Sequence, residues 1–371
     1  MRVLVAPDKF AGTLTAVEAA RSVAEGWRRT TPGDEVVEAP MSDGGPGFVD
    51  VLHTALGGEL LAVTVRGPLE ERVPATVLLA HGTAYVESAQ ACGLDLLPRR
   101  GRDPRPGVVE DASTYGVGEL VAAAVEAGAR RVVIGLGGSG TNDGGAGLLA
   151  ALGATSRPEG ALTAGATGLD ALGAVDLAPA RARVAGVELV TAADVDNPLL
   201  GLRGATNVYG PQKGVAADRL IPVDAALTRF AHLAGRREAD VKGAGAAGGL
   251  GYALALLGTA QAGGFDTVAQ AVGLAAAVRG AHLVVTGEGK LDWQSMSGKV
   301  VSGVAGLCGP AMRPCIVLAG EVQVGARELR ANGIESAYSL LETVGRDEAF
   351  ARPDESLATM AARVARTWSR R

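Results

Sequence analysis

Cysteine is nearly absent from this chain. Cys92, Cys308 and Cys315 are odd in number, sit in apolar or glycine-rich surroundings and have no metal-ligand spacing. That excludes a disulfide framework and fits free thiols in a reducing compartment. A basic excess is also missing: the net charge is −5 at pH 7, which argues against nucleic acid as the main partner. Glycines or charges interrupt every apolar stretch, so none reads as a membrane span. Residues 2–6 open directly as a strand-like run, without a basic region followed by a hydrophobic signal segment, and the cytoplasm is the expected location. The four histidines, His53, His81, His232 and His282, match no metal or triad spacing, and no Walker-type G-x-x-x-x-G-K-[ST] occurs. Lysine is scarce as well. Only Lys9, Lys213, Lys242, Lys290 and Lys299 appear among 35 basic residues, each in or beside a loop motif. A bias toward arginine accounts for the scarcity, and some of the five are expected to meet phosphate or carboxylate as compact point charges.

Glycine, at 54 of 371 residues, is what the chain has in abundance. The glycines cluster between strand-like and helix-like segments, the pattern of loops that approach a ligand closely. At about 150 residues per domain, the length favours two domains. Residues 2–6 read as a buried strand and 16–27 as an amphipathic helix, opened by a Thr15/Glu18 capping box. A strand at 35–39 and a helix ending near 57 follow. This order predicts a parallel sheet with ligands at the carboxyl ends of its strands. Residues 60–65, 73–79 and 83–87 read as an antiparallel element. Helix 117–127, strand 131–136, helix 145–152 and strand 187–193 restore the α/β alternation. Strand 281–286, helix 300–307, strands 314–319 and 337–341 and one final helix complete it. The expected fold is α/β with two domains: a flavodoxin-like doubly wound sheet from residues 1–57 and 281–371, and an inserted mixed domain from 58–280, with a cleft between them.

Chemistry concentrates in a few segments. Residues 135–145, GLGGSGTNDGG, follow a strand and precede a helix, so exposed amides backed by a helix N-terminus predict an anion site. Gly137, Gly138, Ser139, Thr141 and Asn142 are its expected contacts, and Asp143 a magnesium contact or hydroxyl orienter. The same loop spells G-x-G-x-x-G at Gly135, Gly137 and Gly140, which raises a dinucleotide-dependent dehydrogenase of a small hydroxy acid. That rival needs a further strand ending in an acid about 20 residues on, whereas the chain reads TSRPEG there. Asp194 and Asp196 stand where a strand runs out and suit magnesium, which binds through one or two carboxylates plus phosphates; either could instead accept a hydroxyl proton. Lys213 in GPQKG could reach a phosphate. The run 243–251, GAGAAGGLG, fits close helix packing as well as it fits phosphate contact. Residues 286–292, TGEGKLD, with Ser297-Gly298-Lys299, gather acids and ammonium groups where a strand ends.

Together these segments resemble the bacterial glycerate kinase family, of the type that yields 2-phosphoglycerate. The resemblance rests on Ala6-Pro7-Asp8-Lys9-Phe10 with Gly12, Ser42-Asp43-Gly44-Gly45 with Gly47, Glu87-Ser88-Ala89 with Gly93-Leu94, and Gly116 with Gly118-Glu119-Leu120. It continues through residues 135–145, Asp196-Asn197-Pro198-Leu199, residues 210–214 and Gly287-Glu288-Gly289. It implies ATP, magnesium and D-glycerate. Two departures stand out: Phe10-Ala11-Gly12 where Phe-Lys-Gly is expected, and Gly44-Gly45-Pro46-Gly47-Phe48 where Gly-Gly-Glu-Gly-Thr is expected. They leave room for another small hydroxy acid as acceptor. The reading assigns ATP to Gly137, Gly138, Ser139, Thr141, Asn142, Lys213 and Glu288, and magnesium to Asp194 and Asp196. Glycerate falls to Asp8, Asp43, Asp292 and Lys299, and catalysis to Asp194, Asp143 and Lys9. A homo-oligomer is left open.

Overall fold

The computed structural model describes residues 1–10, 12–101, 103–296 and 299–369. Ala11, Ser297 and Gly298, singled out above, lie outside the described residues. The chain forms two compact units: Met1–Asp43, Asp50–Leu56 and Phe265–Arg371 make the first, and Gly44–Val49 and Gly57–Gly264 the second.

The first unit is built on five parallel strands in the order Glu35–Glu38, Arg2–Val5, Leu283–Leu291, Cys315–Val322, Ser336–Ser339. In chain order this is 2-1-3-4-5, the flavodoxin-like arrangement, whose ligand crevice opens at the carboxyl ends between the first and third strands. Helix Ala16–Thr30 starts with the expected capping box: the Glu18 amide donates to Thr15 Oγ1 at 3.2 Å and the Thr15 amide donates to Glu18 Oε2 at 2.9 Å. Its apolar stripe of Ala19, Ala20, Val23 and Trp27 is buried in one core with Leu357, Met360, Ala361 and Val364 of helix Pro353–Trp368.

Three expectations need correction here. Residues 286–291 do not leave the sheet. Lys290 and Leu291 still pair with Glu321 and Val322, so a polar, glycine-spaced run is held as strand by its parallel neighbour. Phe265–Gly280, read as part of the inserted domain, belongs to the first unit, where the Phe265 ring lies against Gly303. The single final helix is three, Leu340–Val344, Arg346–Ala351 and Pro353–Trp368. Gly345, at φ +86°, and Pro353, at a helix start, set the breaks.

The second unit carries a six-stranded sheet in the order Ala260–Ala262, Glu188–Ala192, Arg131–Gly135, Thr83–Glu87, Arg72–Ala80, Glu59–Arg66. The first four strands are parallel and the last two antiparallel. The antiparallel element read from the sequence is therefore joined to the parallel sheet through Thr83–Glu87. Val86, Leu120, Val132, Ile134, Leu148 and Leu149 fill the core. The 44–49 turn, read from the sequence as part of the first domain, belongs to this unit instead, tied down by Gly47 and Val49 amides that donate to Glu87 Oε2 at 3.1 and 3.3 Å.

Candidate active-site elements

The glycine-rich loop of the second unit leaves strand Arg131–Gly135 and reaches helix Ala146–Ala151. Its two halves are held by different buried charges. Downstream, Asp143 is fully buried, and its carboxylate accepts from the amides of Thr114 (2.9 Å), Gly145 (2.9 Å) and Gly147 (3.1 Å) and from Thr114 Oγ1 (2.8 Å). Burial pushes its pKa up and those donors pull against the rise. This corrects the expectation of a magnesium contact or reagent at Asp143, because its lone pairs are spent on the loop. It also corrects the picture of a helix N-terminus aimed at a ligand, since Asp143 takes two of the first amides. Upstream, Lys213 is 5% exposed and its Nζ donates to Ser139 Oγ and to the Thr141 carbonyl, both at 2.8 Å.

What remains between the two clamps is a set of unspent polar groups. Among the described residues, the amides of Gly138, Ser139, Thr141 and Asn142 have no acceptor. Thr141 Oγ1, Asn142 Oδ1 and Ser88 Oγ are buried without a partner. A buried polar group left unpaired costs about 1–3 kcal/mol, so a ligand that engages these groups recovers that cost. Gly137 does not join them: its amide donates to the Gly44 carbonyl at 3.0 Å, and a side chain there would run into Gly45. Gly248, at φ +70°, sits against the Thr141 carbonyl, where no Cβ would fit. The run at 243–251 thus serves close backbone packing. Asn142 Nδ2 donates to Thr206 Oγ1 at 2.9 Å.

Asp194 and Asp196 diverge. Asp194, half-buried, accepts from the Gly264 amide at 2.7 Å, whereas the exposed Asp196 pairs with Lys242 at 3.1 Å. No group of three or more His, Cys, Asp or Glu side chains that could hold a metal occurs among the described residues. The donor set fits an ion that takes one or two carboxylates and completes its shell with phosphate oxygens and water, as magnesium does.

In the first unit, charge gathers at the carboxyl edge of the sheet. Asp8 follows strand Arg2–Val5, donates its amide to the Gly287 carbonyl at 2.8 Å, and receives the Lys9 amide on Oδ1 at 2.7 Å. Lys9 Nζ lies 3.7 Å from Asp8 Oδ1 and 3.6 Å from Asp43 Oδ1. Burial raises the Asp8 pKa to about 6, against the pull of Lys9 and Lys299. Glu288 is raised to about 7, first by burial and further by Asp8 and Asp292, and its Oε1 is buried without a partner among the described residues. Lys290 Nζ is 3.6 Å from Asp292 Oδ2. Asp8, Lys9, Asp43, Glu288, Asp292 and Lys299 therefore belong to one electrostatic cluster. It lies at the switch point of this sheet, where the topology predicts a ligand. Glu288, grouped above with the nucleotide contacts, stands with Asp8, Asp292 and Lys299 of the first unit.

Sequence reasoning missed Ser88, Thr114 and Thr206. Ser88 lies in a quoted block, but its orphaned hydroxyl shows only in three dimensions. Thr114 and Thr206 have no motif at all. The departures Pro46 and Phe48 also find a place: Pro46 lies next to Gly138, and the buried Phe48 meets Tyr85 edge-on with ring centroids 6.3 Å apart. The dinucleotide fingerprint is not built here. Thr155–Arg157 pairs antiparallel with Ala174–Asp176 as a separate ribbon instead of extending the sheet beside Arg131–Gly135.

Residues 3–369 match the Glycerate kinase family. A glycerate kinase from Bacillus subtilis is 39% identical over 98% of this chain and 97% of its own length. A glycerate 2-kinase from Escherichia coli is 36% identical, covering 99% and 98%. A crystal structure assigned as glycerate kinase 2 from Salmonella typhimurium LT2 superposes with a TM-score of 0.79 at 36% identity, covering 99% of this chain and 98% of the other. No helix among the described residues is long and apolar enough to cross a membrane. With nearly all of both units matched, the chain belongs to the glycerate kinase family and is a kinase, an enzyme that uses a nucleotide and a small-molecule substrate.

Proposed function

We propose that this enzyme is cytoplasmic and transfers the γ-phosphoryl group of ATP to D-glycerate, giving 2-phosphoglycerate and ADP. The observation that carries the reading is the mixed cluster at the first unit's switch point, two carboxyl groups with raised pKa values beside Lys9 and Lys299. A small hydroxy acid needs cations for its carboxylate and an acceptor for its hydroxyl proton, and this edge offers both. Lys9 and Lys299 meet the carboxylate, Asp8, Asp43 and Asp292 border it, and Glu288 accepts the hydroxyl proton. In the second unit, the unspent amides of Gly138, Ser139, Thr141 and Asn142 with Thr141 Oγ1 hold the phosphates. Asp194, with Asp196 beside it, would hold magnesium, which neutralises charge developing on the transferring group. Phosphoryl transfer asks mainly for positioning and charge stabilisation, and these elements are of that kind. The name of the Escherichia coli relative, a glycerate 2-kinase, supports the 2-position. Pro46 and Phe48 find their partners within the second unit, Gly138 and Tyr85.

The test is ADP release with ATP, magnesium and a panel of small hydroxy acids, with the product's phosphorylated position read by phosphorus NMR. D-glycerate should give 2-phosphoglycerate. Preference for another acid would displace the substrate assignment, and hydride transfer without ADP would overturn the reading.

A further inference from the structure

Lys213 invites the reading of a lysine that touches phosphate, as its motif suggested. Its surroundings argue otherwise. The side chain is 5% exposed, and its ammonium is committed to two atoms of the glycine-rich loop, Ser139 Oγ and the Thr141 carbonyl. Among the described residues, the backbone amides of both stand without acceptors, as do those of Gly138 and Asn142, and Thr141 Oγ1 has no partner. The charged groups around Lys213 are few: Asp143 from the same loop, spent on its own donors, and Cys92 from helix Ala89–Cys92. Burial pushes the Cys92 thiol up to about 12, so it stays neutral.

We infer that Lys213 is a positioning residue: it shapes residues 138–142 into a polyphosphate cradle through Ser139 and Thr141 and contributes its buried positive charge from beneath, without contacting the ligand. The inference rests on the nucleotide-phosphate reading of this loop and deepens it. Two features of the loop follow from it. A compact ammonium can donate in several directions from a confined position, where a planar guanidinium cannot, which fits a lysine kept in an arginine-rich chain. Burial also lowers the Lys213 pKa to about 8, so the charge is present at neutral pH and fades above it.

The test is calorimetric titration of ADP and of inorganic tripolyphosphate into the full chain, with Lys213→Met, Ser139→Ala and the double variant. ADP is suited to the pH arm because its phosphates are fully ionised above about pH 7. The single variants should each weaken ADP by roughly tenfold, one tenfold being about 1.4 kcal/mol. The double variant should be little worse than Lys213→Met, because both act through one contact. Lys213→Arg should not restore affinity. In the wild-type chain ADP affinity should fall as pH rises through about 8, a limb absent from Lys213→Met. Additive losses, or an unchanged Lys213→Met, overturn the inference. Should Lys213→Met fail to fold by thermal midpoint, the wild-type pH arm decides alone, and a flat profile overturns it. A wild-type chain that binds neither probe also overturns it. Binding that behaves as expected without any glycerate turnover sinks the glycerate assignment and leaves this one standing.

Discussion

The two charged loops of this kinase use charge in opposite ways. In the first unit, Lys9 and Asp43 face each other with side chains 25% and 26% exposed, close enough to attract and open enough to exchange partners. In the second, Lys213 and Asp143 are 5% and 0% exposed, and each is consumed by backbone and hydroxyl groups that hold the glycine-rich loop. Partly exposed charge suits recognition of a small anion whose own charge replaces water. Fully buried charge suits holding a backbone in a shape it would not keep alone. The lesson is that a lysine or aspartate in a glycine-rich motif is read correctly only once its exposure is known.

The largest expected effect comes from the first unit. Glu288→Gln should lower kcat by about 10²–10⁴, the usual contribution of a positioned acid or base, and remove a rise of kcat through pH 7. The same change should stabilise. The folded pKa of about 7 lies above the ordinary 4.5, so folding takes up a proton between these values and the group costs stability as pH climbs through that window. The thermal midpoint of Glu288→Gln should gain on wild type at pH 8 and not at pH 4. A flat kcat profile, or a loss of stability at pH 8, would return Glu288 to a structural role.

Next, Asp194→Asn should lower turnover about a hundredfold, as expected when a metal or hydroxyl contact to the transition state is lost. Asp196→Asn should do much less, since Asp196 is an exposed partner of Lys242 and such pairs are worth about 0–1 kcal/mol. Steady-state kinetics at varied magnesium separates the two, and equal effects would break the distinction drawn from their burial.

Lys9→Ala should cost about tenfold to a hundredfold in kcat/KM for glycerate, from a charge-assisted contact of roughly 1.5–3 kcal/mol. KM for ATP should hold. Lys9→Arg should rescue poorly. The smallest effect is in the clamp: Thr114→Val removes a donor to Asp143 and the acceptor of the Leu148 amide, and should destabilise by about 1–3 kcal/mol in denaturant titration. An unchanged midpoint would mean Asp143 holds the loop without Thr114.

Much of the fold was legible because its signals are local. The Thr15/Glu18 box, the buried strand at the N-terminus and the alternating strands after residue 58 depend on neighbours in sequence. Strand Leu283–Leu291 was read too short because its polar second half is held by a partner strand, which periodicity does not see. The site was legible as motifs and less so as roles. Asp143 and Lys213 were picked out by residue type and setting, but their letters look the same whether they meet a ligand or the loop. Thr114, Thr206 and Ser88 escaped because nothing near them in sequence marks a residue that matters through a contact dozens of positions away.

The division of labour between the units is tested most directly by titrating D-glycerate and ADP separately into Lys9→Ala. The account predicts that glycerate binding weakens at least about tenfold while ADP binds as in wild type. Loss of ADP affinity with glycerate binding intact would contradict it.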